Sequence, residues 1–138
     1  MSMSREAKVM TGITILVVPT IMYGGWTLLG LLTQGSAGAA PGGLKLTETQ
    51  WALWRAGHAH AGVWTVFSIL LQVLLDSTRL SAAATWVARI CAPVSAVALS
   101  AGFFGLAFSP SFRLLLYLGI CTLLIALLTT AVGLLRSR

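Results

Sequence analysis

Charge is scarce in this chain. Only 9% of its 138 residues are Asp, Glu, Lys or Arg, against roughly 25% in an ordinary soluble domain. The three acidic residues are Glu6, Glu48 and Asp76. With 57% hydrophobic residues and a mean hydropathy of +0.91, a soluble globular domain is excluded and an integral membrane protein of one domain is expected. Cysteine is nearly absent too. Cys91 and Cys121 lie deep in apolar runs, which excludes a disulfide framework and marks both as small buried hydrophobes. There are two histidines, and no carboxylate stands near them along the chain, so a closed zinc site has too few ligands. Internal repeats, heptads and low-complexity tails are missing as well.

A formal net charge of +6 would point to nucleic acid in a soluble protein. Here Arg5, Lys8, Arg79, Arg89, Arg136 and Arg138 fall near segment ends or connections that can share one side of a bilayer. That pattern is the positive-inside signal and not a nucleic-acid footprint. It predicts cytoplasmic termini in a bacterial-type inner membrane. The lipid bilayer is thus the first partner expected.

The apolar runs divide into four spans. Residues 9–33 carry no charge and exceed the roughly 20 residues that cross a bilayer. Ala37-Gly38-Ala39 looks like a signal-peptidase site, but the run before it is too long for a secretory leader, and an uncleaved first span is expected. Pro19 removes one backbone donor inside it, and Gly24-Gly25 would let another helix come close. After a Gly/Ala/Pro-rich loop at 34–46, Thr47 and Gln50 form a capping box that starts a second helix over 48–75. The short turn at 76–80 makes the third span, 81–108, its antiparallel neighbour. Ser109-Pro110 ends that span, and 111–135 is the fourth. The fold expected is an all-α, up-down, four-helix membrane bundle.

The stretch Trp54-Arg55-Ala56-Gly57-His58-Ala59-His60-Ala61-Gly62 holds both histidines. His58 stands about ten residues, or roughly 15 Å, into the second helix, near the bilayer centre. Ionisable groups at that depth require a partner or a purpose. Positions two apart on a helix differ by about 200° in rotation, so His58 and His60 look in nearly opposite directions and cannot share a metal ion. Haem, which brings its own equatorial ligands, matches such a donor set. Gly57, Ala59, Ala61 and Gly62 leave room for a flat macrocycle, Trp51, Trp54 and Trp64 could edge it, and Arg55 could pair with a propionate. An interhelical hydrogen bond is the alternative for either histidine, and snorkelling to the interface the alternative for Arg55.

Lys8 before a glycine-containing first span, Trp54-x-x-x-His58, and Phe108-Ser109-Pro110 closing the third span together resemble the styrene oxide isomerases. The interval from His58 to Pro110, 110 − 58 = 52 residues, is similar to that of the family. The resemblance covers the first three helices, and the loop before helix four is shorter here. It implies a homotrimer of small four-helix membrane enzymes with haem b between subunits. It also implies His58 as the iron ligand, since the family has glycine at the place of His60. The implied activity is isomerisation of a small hydrophobic epoxide to a carbonyl compound, with ferric haem as Lewis acid. Three positions depart from the pattern: Trp64, Ser95 and Phe103 stand where the family places an asparagine, an aspartate and a tyrosine beside the substrate. Two other readings stay open: a haem protein for electron transfer or gas binding, with His60 as second choice of ligand, and a cofactor-free accessory subunit.

Overall fold

A computed structural model describes residues 3–39, 42 and 44–136. Four helices account for most of them: α1, Arg5–Leu32; α2, Glu48–Leu75; α3, Ala82–Leu106; and α4, Arg113–Arg136. Three begin on a hydroxyl cap. Ser4 accepts from the Ala7 N–H, Ser81 from the Ala84 N–H, and Thr47 from the Gln50 N–H while Gln50 Oε1 accepts from the Thr47 N–H. These caps satisfy helix-end donors where the chain leaves the hydrocarbon. α1 runs through Pro19 and closes where Gln34 and Gly35 take positive φ, the Gly35 N–H donating back to the Gly30 carbonyl. Ser109 is extended, as a residue before proline should be, and Pro110–Phe112 makes one 3₁₀ turn into α4.

All four helices are long and apolar enough to cross a membrane, so this is a multi-pass membrane protein. Ser4 reaches Asp76, and Gly133 sits against Thr78 and Leu80, which brings the start of α1, the α2–α3 turn and the end of α4 together. At the opposite end Gln50 donates to the Ala107 carbonyl and Phe112 packs on Gly105. The topology is therefore up-down and antiparallel. α1 packs on α2, α2 on α3, and α3 on α4, while α1 barely meets α3 and does not reach α4 among the described residues. The bundle is open on the α1 side. The α3–α4 seam is the closest: a Cβ on Gly119 would lie 2.8 Å from the Leu99 backbone nitrogen, so only glycine fits there.

Large apolar side chains cover the outside, and the α2–α3 interior is polar only at a few points. Thr65, Ser68, Gln72, Arg89 and Ser95 are all buried. Arg89 corrects the sequence expectation of a charge at a segment end. It lies about two turns into α3, 4% exposed, and donates to the carbonyl and side chain of Gln72, to Ser4 Oγ and to Asp76. Gln72 returns a bond from Nε2 to the Arg89 carbonyl at 2.9 Å, and Asp76 also accepts from the Ser4 N–H and hydroxyl. One ion pair and its hydrogen bonds thus fasten three helices.

Two further expectations shift. Cys121 is exposed on the outer surface, whereas Cys91 packs beside the small core of Leu71, Ala92 and Ala126. Helix three stops at Leu106, two residues before the expected end, and α1 begins at Arg5 instead of Val9 because Ser4 is available as its cap. Arg138 and loop residues Ala40, Pro41 and Gly43 lie outside the described residues.

Removing one member of a buried ion pair leaves the other uncompensated, which costs about 3–5 kcal/mol. Asp76→Ala is therefore expected to lower stability by about that amount in detergent unfolding, and adding Arg89→Met should restore most of it. Burial opposes the charge of Asp76, but hydrogen bonds from Ser4 and Arg89 and the Arg89 charge outweigh it and hold its pKa below 3.8. The stabilisation is thus whole above pH 3.8 and lost as pH falls through the lower folded-state value; unfolding titrations at successive pH values should show that loss in the wild type and not in Asp76→Ala.

Candidate functional site

The two histidines occupy different surroundings, as their rotation about α2 requires. His58 faces α1. Its imidazole lies over the Gly24-Gly25 pair: a Cβ built on Gly25 would stand 3.1 Å from both Cε1 and Nε2, and one on Gly24 would stand 3.7 Å from Nδ1. These glycines, read from sequence as plain helix packing, form the cradle for the ring. His58 is half-buried and makes no hydrogen bond among the described residues. The interhelical bond that sequence reasoning allowed as its alternative is not formed.

The ring borders a cavity of about 240 Å³ between α1, α2 and α3, walled beside it by Ala61, Ser100 and Phe104. A second cavity of about 550 Å³ adjoins it and shares Val17, Thr65, Ala96, Val97 and Ala101. Together they make one crevice that opens sideways between α1 and α3. No charged residue lines either part. Three of its hydroxyls are spoken for locally: Ser100 donates to the Ala96 carbonyl, Thr20 to that of Val17 and Thr14 to that of Met10, while Thr65, which lines both parts, has no hydrogen bond among the described residues.

His60 faces away from α1. Its Nδ1 is 2.8 Å from the Ala56 carbonyl, and since a carbonyl only accepts, Nδ1 carries the proton and Nε2 is left bare. The ring packs on Phe103 at 4.6 Å and near Trp64 at 6.5 Å. Beside it is a shallow notch of about 120 Å³ lined by Ala59, His60, Val63 and Trp64.

The other sequence candidates distribute between these places. Trp54 stands edge-on to Phe104 and Phe108, at 5.6 and 6.0 Å, so it supports the crevice wall from behind. Arg55 is exposed and borders a separate cavity of about 490 Å³ with Leu32, Glu48 and Trp51, toward the Gln50 end. Gly62 leaves open space but lines no cavity. Trp64 and Phe103, which the resemblance sets beside a substrate, gather at His60 and not at His58. Ser95 is buried and donates to the Ala92 carbonyl, clear of both histidines. Thr20, Thr65 and Phe104 were not singled out from sequence; each lies on a helix face whose neighbour only the tertiary packing reveals.

Among the described residues no three His, Cys, Asp or Glu side chains come together to hold a metal ion. A metal at His58 must arrive with its other ligands, as an iron porphyrin does. The unpartnered imidazole, the close approach that Gly25 allows beside it and the uncharged crevice fit such a group. The His60 notch does not: its volume suits a single ring, since a cavity near 150 Å³ holds benzene. No protein-family model, curated protein or solved structure matches this chain.

An imidazole with no hydrogen bond contributes nothing polar to stability, and keeping it unpaired in hydrocarbon is a cost. In protein free of any bound group, His58→Leu is expected to leave detergent unfolding unchanged or slightly improved, while His60→Leu loses a bond and about 1 kcal/mol. A loss of more than about 2 kcal/mol in His58→Leu, beyond what one neutral hydrogen bond supplies, would show that this ring has a structural partner after all.

Proposed function

We propose that this chain is a haem b-binding protein of a bacterial-type inner membrane, resembling the epoxide isomerases, with His58 as the iron ligand. The observation that carries the reading is an ionisable side chain placed near mid-bilayer, cradled by glycine, and given no protein partner. Residues that cost stability without a structural return are the ones kept for function.

In this reading His58 holds the group from one side while Gly24 and Gly25 keep α1 close without crowding the ring. Phe104, braced by Trp54, and the apolar walls exclude water. Arg55, toward the Gln50 end of the same helix, would meet a propionate that leaves the crevice. Ferric haem, when bound, supplies a Lewis-acidic iron able to polarise an epoxide oxygen. The crevice itself offers a small, neutral, hydrophobic epoxide a dry surface and no charged group to compete for it.

The homotrimer belongs to the same proposal and is supported by the resemblance. Trp64 and Phe103 are across α2 from His58, so within one chain they cannot border its ligand. The orientation is likewise proposed as cytoplasmic termini, supported by Arg5, Lys8, Arg79 and Arg136 at one end against Lys45, Arg55 and Arg113 at the other. A second reading, a haem protein for electron transfer or gas binding, is favoured by one observation: beside His58 the crevice hydroxyls of Thr20 and Ser100 are engaged with their own helices, and no carboxyl group lines the cavity to serve a substrate as acid or base.

The protein purified in detergent is expected to show a Soret band that His58→Ala abolishes and His60→Ala retains. An open sixth position should shift that band on addition of cyanide or imidazole. Incubation with styrene oxide should then yield phenylacetaldehyde above a haem-only control. A Soret band without product would select the second reading, and no Soret band at all would select a cofactor-free accessory subunit.

A further inference from the structure

The His60 notch is a second place where chemistry is left unfinished, and it does not rely on the haem reading. Three observations bear on it. The Nδ1–H of His60 is committed to the Ala56 carbonyl at 2.8 Å, which fixes the neutral tautomer and turns Nε2 into a hydrogen-bond acceptor with nothing to accept from among the described residues. The ring cannot turn aside, because Phe103 packs on it at 4.6 Å. Trp64, which lines the same notch, has an indole N–H that is buried and has no acceptor among the described residues. An acceptor with no donor thus stands at the notch in a helix near the bilayer centre, where water is not at hand to serve it, while the Trp64 N–H is sealed from the notch.

The chemistry narrows the occupant. A bare metal ion is excluded by the lack of further ligands, and a porphyrin by the notch of about 120 Å³. A carboxylate or other anion has no cation to meet it there. A carbonyl or ether oxygen only accepts, so it could not answer His60. A hydroxyl can, because it donates to a bare nitrogen. The volume is that of one six-membered ring, and Val63 and Ala59 offer such a ring an apolar wall. We propose that His60 and Trp64 form a binding site for a one-ring, membrane-soluble alcohol or phenol, which donates its hydroxyl proton to His60 Nε2.

The test uses the full chain in dodecylmaltoside micelles and fluorine NMR titrations with 4-fluorobenzyl alcohol and 4-fluorobenzyl methyl ether, empty micelles serving as reference. The two probes share ring and size and differ in the single donated proton. Saturable binding of the alcohol is expected, with the ether at least tenfold weaker, the equivalent of about 1.4 kcal/mol. His60→Leu should bring the alcohol down to the ether's affinity, and His58→Ala should leave the preference intact. Equal binding of the two probes by the wild type, which needs no variant, overturns the proposal. So does an alcohol preference that survives His60→Leu, or one that His58→Ala removes, which would move the site into the crevice. Absence of saturable binding, with His60→Leu instead dissociating an oligomer, would show that a second copy of the chain fills the notch and would overturn it as well. None of these outcomes depends on a Soret band, so failure here and failure of the haem reading are told apart.

Discussion

A polar side chain inside a bilayer has no water to fall back on, and each ionisable group of this protein that enters the hydrocarbon has to be answered by another part of the chain or stay unanswered. Arg89 is answered in full. Its guanidinium meets Asp76, Gln72 and Ser4, and those three come from the α2 C-terminus, the α2 body and the cap of α1. The pair does not add stability in the way a hydrophobic replacement would, because two charges have been taken from water. What it adds is specificity of arrangement: α1, α2 and α3 must be in register at that end for every donor to find its acceptor.

That clamp also explains why the bundle can be open elsewhere. α1 is held at its start by Ser4 and along its length by α2, with little from α3 and, among the described residues, nothing from α4. The space that α1 leaves against α3 becomes the crevice, and the glycine pair midway sets how near the helix comes to His58. The α3–α4 seam, by contrast, is zipped by glycines at backbone contact, and α4 borders the crevice only through Leu115 and Leu118. Closure on one side and a gap on the other follow from where glycine meets a small backbone neighbour and where it meets an imidazole.

Much of this was legible in the sequence, and the reasons are local. The four spans are long uninterrupted apolar runs, the α2 start is written in Thr47 and Gln50, and the opposed directions of His58 and His60 follow from helical rotation alone. What could not be read depends on which helix lies against which face. Arg89 looked like a charge at a segment end because two turns of helix separate the interface from the interior, and only the position of Asp76 across the turn turns that distance into burial. The grouping of Phe103 with His60, and of Gly24-Gly25 with His58, joins residues more than thirty positions apart with no periodicity linking them. Cys121 was misplaced for a related reason: an apolar run does not reveal which of its faces meets lipid.

The contrast between the two imidazoles is the last step. They stand two residues apart on one helix, at nearly one depth, and the protein treats them differently. His60 has its tautomer fixed by a backbone carbonyl and its plane fixed by Phe103, so it presents a single acceptor in a single direction. His58 has no hydrogen bond among the described residues to fix its tautomer, and its ring rests against the Gly24-Gly25 face of α1 beside the crevice. A fixed acceptor suits recognition of a small neutral donor, because orientation is settled before binding and little entropy is lost. A free imidazole beside a cavity suits ligation of a larger group that imposes its own geometry, the other ring nitrogen then turning to whichever partner the bound group leaves it. The helix therefore presents two separate imidazole environments, and the rotation of about 200° between positions two apart is what keeps them distinct.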